Sequence, residues 1–90
     1  MSSYACELYT NDFLLDDNCI VGFDEPMETF FFLSGDENEL GAPLIWLGSS
    51  YQQFRTISCI IAYFEQSGVE IRISAEDMAE LKKNDYSKII

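Results

Sequence analysis

Apolar and polar positions alternate over residues 4–10 (YACELYT), with Tyr4, Cys6 and Leu8 on one side and Glu7 and Tyr9 on the other. That two-residue period is the signature of a half-buried strand. Asp16-Asp17-Asn18 is dense in turn formers and predicts a reversal, after which residues 19–23 (CIVGF) make a short second strand. Asp24-Glu25-Pro26 predicts the next turn. Within residues 27–34, Thr29-Phe30-Phe31-Phe32-Leu33 is apolar at successive positions. Such a run leaves no face for water and predicts a strand in the middle of a sheet. Residues 35–41 (GDENELG) form an acidic loop, and residues 43–47 (PLIWL) a fourth strand ended by Gly48.

The period then changes. Ser49 and Ser50 each have a glutamine three residues on, Gln52 and Gln53. This is the spacing of a capping box and predicts that a helix starts here. Phe54, Ile57, Ile60, Ile61 and Phe64 recur at three- and four-residue intervals, one apolar stripe to lie on the sheet. Gly68 is placed to stop the helix in a left-handed conformation after Ser67. Residues 69–73 (VEIRI) alternate again as a fifth strand. Ser74 caps a second helix that has acids in its first turn and Lys82 and Lys83 in its last, each sign complementing the helix dipole. The order β-β-β-β-α-β-α over residues 1–90 describes one α+β domain, with a mostly antiparallel sheet of four to five strands and two helices.

Charge changes this picture from a fold to a surface. The 90 residues carry 16 acidic and 5 basic side chains with no histidine, a formal charge of −11. Ten of the acids (Glu7, Asp12, Asp16, Asp17, Asp24, Glu25, Glu28, Asp36, Glu37 and Glu39) precede Arg55, the first basic residue. The first 54 residues are therefore net −10 and the remainder net −1. An ordinary surface mixes both signs to limit self-repulsion. Such a balance argues against binding nucleic acid through its phosphates, which requires lysine and arginine to displace counterions. It argues equally against an anionic membrane surface. With 48% apolar residues the chain still has enough to bury for a fold. At this length it buries only about 60–65% of its unfolded surface, a single modest core without a deep catalytic chamber.

Candidate chemistry is sparse. Cys6, Cys19 and Cys59 are odd in number and lack a C-x-x-C pair, which fits free thiols better than a disulfide framework or a zinc site. Asp36, Asn38 and Gly41 take the first, third and sixth places of an EF-hand loop. Leu40 and Leu47 stand where the fifth and twelfth ligands belong, so no metal is expected. Gly48 and Ser50 fit the start of a nucleophile elbow, and Gln52 replaces its last glycine. The paired carboxylates fall in predicted turns, where water keeps acid/base chemistry ordinary. No cofactor and no enzymatic activity is expected. Residues 1–8 show neither a basic n-region nor an apolar run, which predicts a cytoplasmic protein. Tyr4, Tyr9, Phe13, Trp46 and Tyr51 stand among acids rather than bases. Trp46 reads most simply as core, and Tyr9, beside Glu7, as an interface anchor.

Carboxylates without counter-charges repel one another, and a basic partner relieves that repulsion. Two partner classes follow: a nuclease-type toxin neutralised by a dedicated immunity protein, or a nucleic-acid-binding defence complex blocked by an anti-CRISPR or DNA-mimic inhibitor whose carboxylates stand in for phosphates. In size and charge the chain resembles small acidic immunity proteins and phage DNA-mimic proteins, a likeness of composition. A third reading makes it an adaptor whose acids only confer solubility and whose contacts come from Met78, Leu81, Ile89 and Ile90. The expected partner-binding residues are Tyr9, Asp16, Asp17, Asp24, Glu25, Asp36, Glu37 and Glu39, with immunity against a toxin placed first.

Overall fold

The computed structural model describes residues 2–35, 39–41 and 44–85. The elements are β1 (Ser2–Thr10), β2 (Phe13–Asp24), β3 (Thr29–Leu33), β4 (Trp46–Leu47), α1 (Ile57–Glu65), β5 (Glu70–Arg72) and α2 (Ala75–Lys82). The strands build one five-stranded antiparallel sheet in the order β4-β3-β2-β1-β5. The chain is thus the α+β domain expected, with its seven elements in the expected order.

The first reversal is not where the sequence placed it. Thr10 pairs with Phe13, and Asn11 (φ 48°) and Asp12 (φ 64°) form the turn. Two left-handed residues between paired strands make the type I′ hairpin, whose twist matches the strands and which Asn and Asp tolerate. Asp16-Asp17-Asn18 therefore lies inside β2 and is no turn. Between the pairs Cys6–Cys19 and Leu8–Asp16, β2 has one residue more than β1, and again between Leu8–Asp16 and Tyr9–Leu14. The turn-forming composition is thus absorbed by bulges, which bend a strand without reversing it. The Asp16 carboxylate holds that bend, accepting the amides of Asn18 at 2.9 Å and Gly35 at 2.8 Å.

β2 holds the centre of the sheet and β3 lies beside it. β3 is nevertheless buried from Thr29 to Phe32. Its start is closed over by the chain that follows β4. The Gln52 amide donates to the Met27 carbonyl at 3.0 Å, the Phe54 amide to Thr29 Oγ1 at 2.8 Å, and the Phe30 amide to the Phe54 carbonyl at 2.9 Å.

This closure also displaces the start of the first helix. Gln53 Oε1 does accept the amides of Ser49 and Ser50, at 3.1 and 3.2 Å, but Gln52 has φ 53° and the chain turns there instead of coiling. Half of the capping box is made, around a turn. α1 begins at Ile57, and its N-cap Thr56 makes no side-chain cap bond. The buried Asp85 supplies one from beyond α2, its Oδ1 accepting the Ile57 amide at 2.9 Å. At the other end the sequence reading holds. Gly68 has φ 71°, and the amides of Val69 and Gly68 donate to Phe64 and Glu65 as in a Schellman stop.

α1 buries Ile57, Ile60 and Phe64 on one face of the sheet, with the Phe64 ring edge-on to Phe32 at 4.7 Å. Ser74 caps α2 by accepting the Asp77 amide, and Leu81 enters the same core with Met78 packed against it. Met78 and Leu81 therefore do not form the outward adaptor face expected of them, because they cover the sheet. Ile89 and Ile90, expected beside them, lie outside the described residues. No helix among the described residues is long and apolar enough to cross a membrane.

Candidate binding face

Antiparallel partners point to the same side of a sheet, so the ladders sort the side chains. Tyr4, Cys6, Leu8, Cys19, Val21, Phe23, Phe30, Phe32, Leu47 and Ile71 turn toward the helices and make the core. The pairs Leu33–Trp46, Ile20–Leu33 and Ala5–Ile20 share the other face, which carries no helix. They form one continuous row across four strands: Trp46, Leu33, Ile20, Ala5. Trp46 is 60% exposed and Ile20 39%. The expectation of a core tryptophan is thereby corrected. In a two-residue strand only one of Trp46 and Leu47 can face the helices, and the pairing of Leu47 with Phe32 gives Leu47 that place.

Beside this row Phe31 lies opposite Gly22, which adds no side chain of its own. Asp24, Met27, Phe31, Leu33, Trp46, Gly48 and Ser49 line a cavity of about 390 Å³ there. The walls are mostly apolar, with one carboxylate.

Carboxylates bracket the row. Asp24, Glu25 and Glu28 occupy the β2–β3 turn, where Asp24 Oδ1 accepts the Met27 amide at 3.4 Å and the Glu28 amide donates to the Glu25 carbonyl at 3.1 Å. The Tyr51 hydroxyl donates to the Glu28 carboxylate, which pushes the phenol's pKa up. Further along β2 is the exposed Asp17, with exposed Glu39 in the loop after β3, whereas Asp16 pairs with Leu8 and turns to the helix side, where it lines a hollow with Tyr63 and Phe64.

The expected contact residues thus divide. Asp17, Glu25 and Glu39 are exposed, and Asp24 is half-buried at the rim of the cavity. Asp16 is occupied with two backbone amides and shapes the bulge. Tyr9 shares the helix-free face, but the Arg72 guanidinium lies over its ring at 3.7 Å from the centroid, and its hydroxyl donates to Glu7 at 3.3 Å. Arg72 also pairs with Glu70 and Asp12, at 3.1 and 3.2 Å. Asp36 and Glu37 lie outside the described residues, as does Pro43 of the expected fourth strand. The sequence reading did not single out Ile20, Leu33 and Met27. The alternation of β2 carried a signal for Ile20, since its neighbours Cys19 and Val21 both belong to the opposite face. Comparison with protein-family models, with curated proteins and with solved structures finds no match for this chain, so the functional reading rests on the face itself.

Proposed function

We propose that the protein is a non-enzymatic, acidic immunity-type inhibitor of the cytoplasm, which lays its helix-free sheet face on the basic surface of a nuclease-type toxin. The observation that carries this reading is the row of Trp46, Leu33 and Ile20, exposed at Trp46 and Ile20 and flanked by the Asp24–Glu28 acidic turn on one side and exposed Asp17 on the other. Protein interfaces have an apolar centre inside a polar rim, and aromatic residues anchor them. A rim of one sign speeds association with a partner of the other. The free thiols of Cys6, Cys19 and Cys59 agree with a reducing compartment.

The same row weighs against the two alternatives. A phosphate mimic needs carboxylates spaced regularly along one path, and here apolar residues interrupt them. Acids that serve only solubility leave an exposed row with an aromatic at its end without a purpose.

The test is capture from host lysate at low salt, stepped salt elution, and assay of the released protein for nuclease activity with and without this chain. Expected is a basic nuclease, released by moderate salt and inhibited stoichiometrically, with inhibition weakened when Asp17, Asp24, Glu25 and Glu39 are reversed to lysine. A nuclease inhibited equally by the reversed protein, or a captured protein that neither cleaves nor binds nucleic acid, overturns the reading.

A further inference from the structure

The cavity beside Trp46 has a composition that selects a particular side chain. Phe31, only 8% exposed, forms its floor, with Leu33 and Met27 adding apolar wall. Trp46 and Asp24 mark its two ends. Their ladder partners on β3, Leu33 and Thr29, are four residues apart, about 13 Å along the strand. Both side chains line the cavity, so the space left between them suits one long, thin group. One Asp24 oxygen accepts the Met27 amide, and the other accepts no hydrogen bond among the described residues. None of the lining residues is basic.

The chain shows elsewhere on this same face what an aromatic ring and a carboxylate hold. Arg72 lies over Tyr9 while its guanidinium pairs with Glu70 and Asp12. A guanidinium is planar and weakly hydrated, so it leaves water for an aromatic and apolar wall more readily than an ammonium does. It is drawn to an indole face and forms charge-assisted hydrogen bonds with a carboxylate. Asp24 is half-buried, where its field is screened less than that of exposed Glu25.

We propose that this cavity is an arginine site: it takes one arginine side chain of the partner, with the stem on Leu33 and Phe31 and the guanidinium between the Trp46 indole and the Asp24 carboxylate. The proposal rests on the reading of this face as the binding surface and names what the partner presents to it.

Trp46 is the single tryptophan, so its fluorescence reports the site. The probe is a blocked Gly-Arg-Gly peptide titrated at constant ionic strength, with Gly-citrulline-Gly as the uncharged isostere and Gly-Lys-Gly as the ammonium. Expected is a saturable change with the arginine peptide, half-complete on the order of 1–10 mM. The lysine peptide binds several-fold more weakly, and the citrulline peptide gives no saturation. Asp24→Asn keeps an oxygen for the Met27 amide and so preserves the turn, yet weakens the arginine peptide at least five-fold. Glu76→Gln, an exposed acid on α2, leaves it unchanged. Equal responses to arginine and citrulline, or an unaltered Asp24→Asn titration, overturn the site. A nuclease held by the Asp24→Asn protein as tightly as by the unaltered one overturns the arginine site and leaves the immunity reading standing. An arginine peptide that saturates as expected, beside a lysate that yields no basic partner, supports the site and counts against that reading.

Discussion

Cys6 and Cys19 are ladder partners on β1 and β2, and their sulfurs lie 3.3 Å apart in the core. The Cys6 thiol donates to Cys19 Sγ, and the Cys19 thiol donates to the Cys6 carbonyl at 3.0 Å. Its bond to Cys19 pushes the Cys6 pKa far above the ordinary value, helped by burial and by the charges of Cys19, Asp16 and Glu7. The first ionisation of the pair falls to Cys19, which is lowered because Cys6 donates to it.

Thiol titration with an aromatic disulfide reagent at neutral pH should therefore find one fast equivalent, from exposed Cys59, and three after denaturation. Two fast equivalents would mean that the β1–β2 ladder opens on the time scale of the reaction. The pH dependence has a definite sign. The folded state keeps a proton on Cys6 that the unfolded chain releases near the ordinary value of 9.0. The contribution is complete below that pH and is lost as pH rises beyond it. Denaturant midpoints should therefore fall as pH rises from about 9 to about 10.5, where the unfolded chain releases both thiol protons and the folded pair only that of Cys19.

Two glycines with similar φ should respond differently to alanine. At Gly48 (φ 83°) an added Cβ would lie 2.2 Å from the Phe30 carbonyl oxygen, whereas at Gly68 (φ 71°) nothing lies within 4 Å. Gly68→Ala should cost about 1 kcal/mol, the conformational penalty alone. Gly48→Ala should cost about 3 kcal/mol or more, since backbone must move as well. Urea denaturation measures both, and equal costs would show that the β4 exit relaxes freely.

Asp85→Ala should destabilise the domain by about 1–2 kcal/mol, because the buried Ile57 amide loses its acceptor and Thr56 offers no side-chain substitute. Asp85→Asn keeps an acceptor oxygen and should recover about half of that. Hydrogen exchange at the Ile57 amide is the local readout: faster in Asp85→Ala, intermediate in Asp85→Asn.

Trp46→Ala should leave stability within about 0.5 kcal/mol, as expected of a side chain 60% exposed, while Phe64→Ala should cost about 3–5 kcal/mol. Toward a basic nuclease of the kind proposed, Trp46→Ala should lose at least ten-fold in affinity, mostly as faster dissociation. A large loss of stability in Trp46→Ala would place the indole in the core instead.

Much of the fold was written in local pattern. The Ile57, Ile60, Phe64 stripe, the Ser74 cap and the Gly68 stop depend on neighbours within a few residues, and all were legible. The errors share another cause, dependence on residues far along the chain. Asp16-Asp17-Asn18 has stronger turn chemistry than Asn11-Asp12, and Phe13-Leu14-Leu15 hides the resumed strand by breaking the alternation. What keeps β2 in the sheet through its bulges, instead of reversing there, is pairing with β1 and the bond that Asp16 accepts from the Gly35 amide, 19 residues on. The helix start moved because Phe54 pairs with Thr29, 25 residues earlier. The acidity of the candidate face was countable from composition. Its apolar row was not, since Phe31 and Leu33 read as parts of one buried run until the ladder put them on the side away from the helices.

The bond from Asp85 to Ile57 has a consequence for how the protein is made. During synthesis the chain leaves the ribosome amino end first, so the strands through β4 are available while α1 still has an uncapped first turn. Ile57 receives its acceptor only after 28 further residues have emerged. The final docking of α1 therefore waits for the segment beyond α2, and a nascent chain stalled before Asp85 should remain more open to protease than one stalled after it.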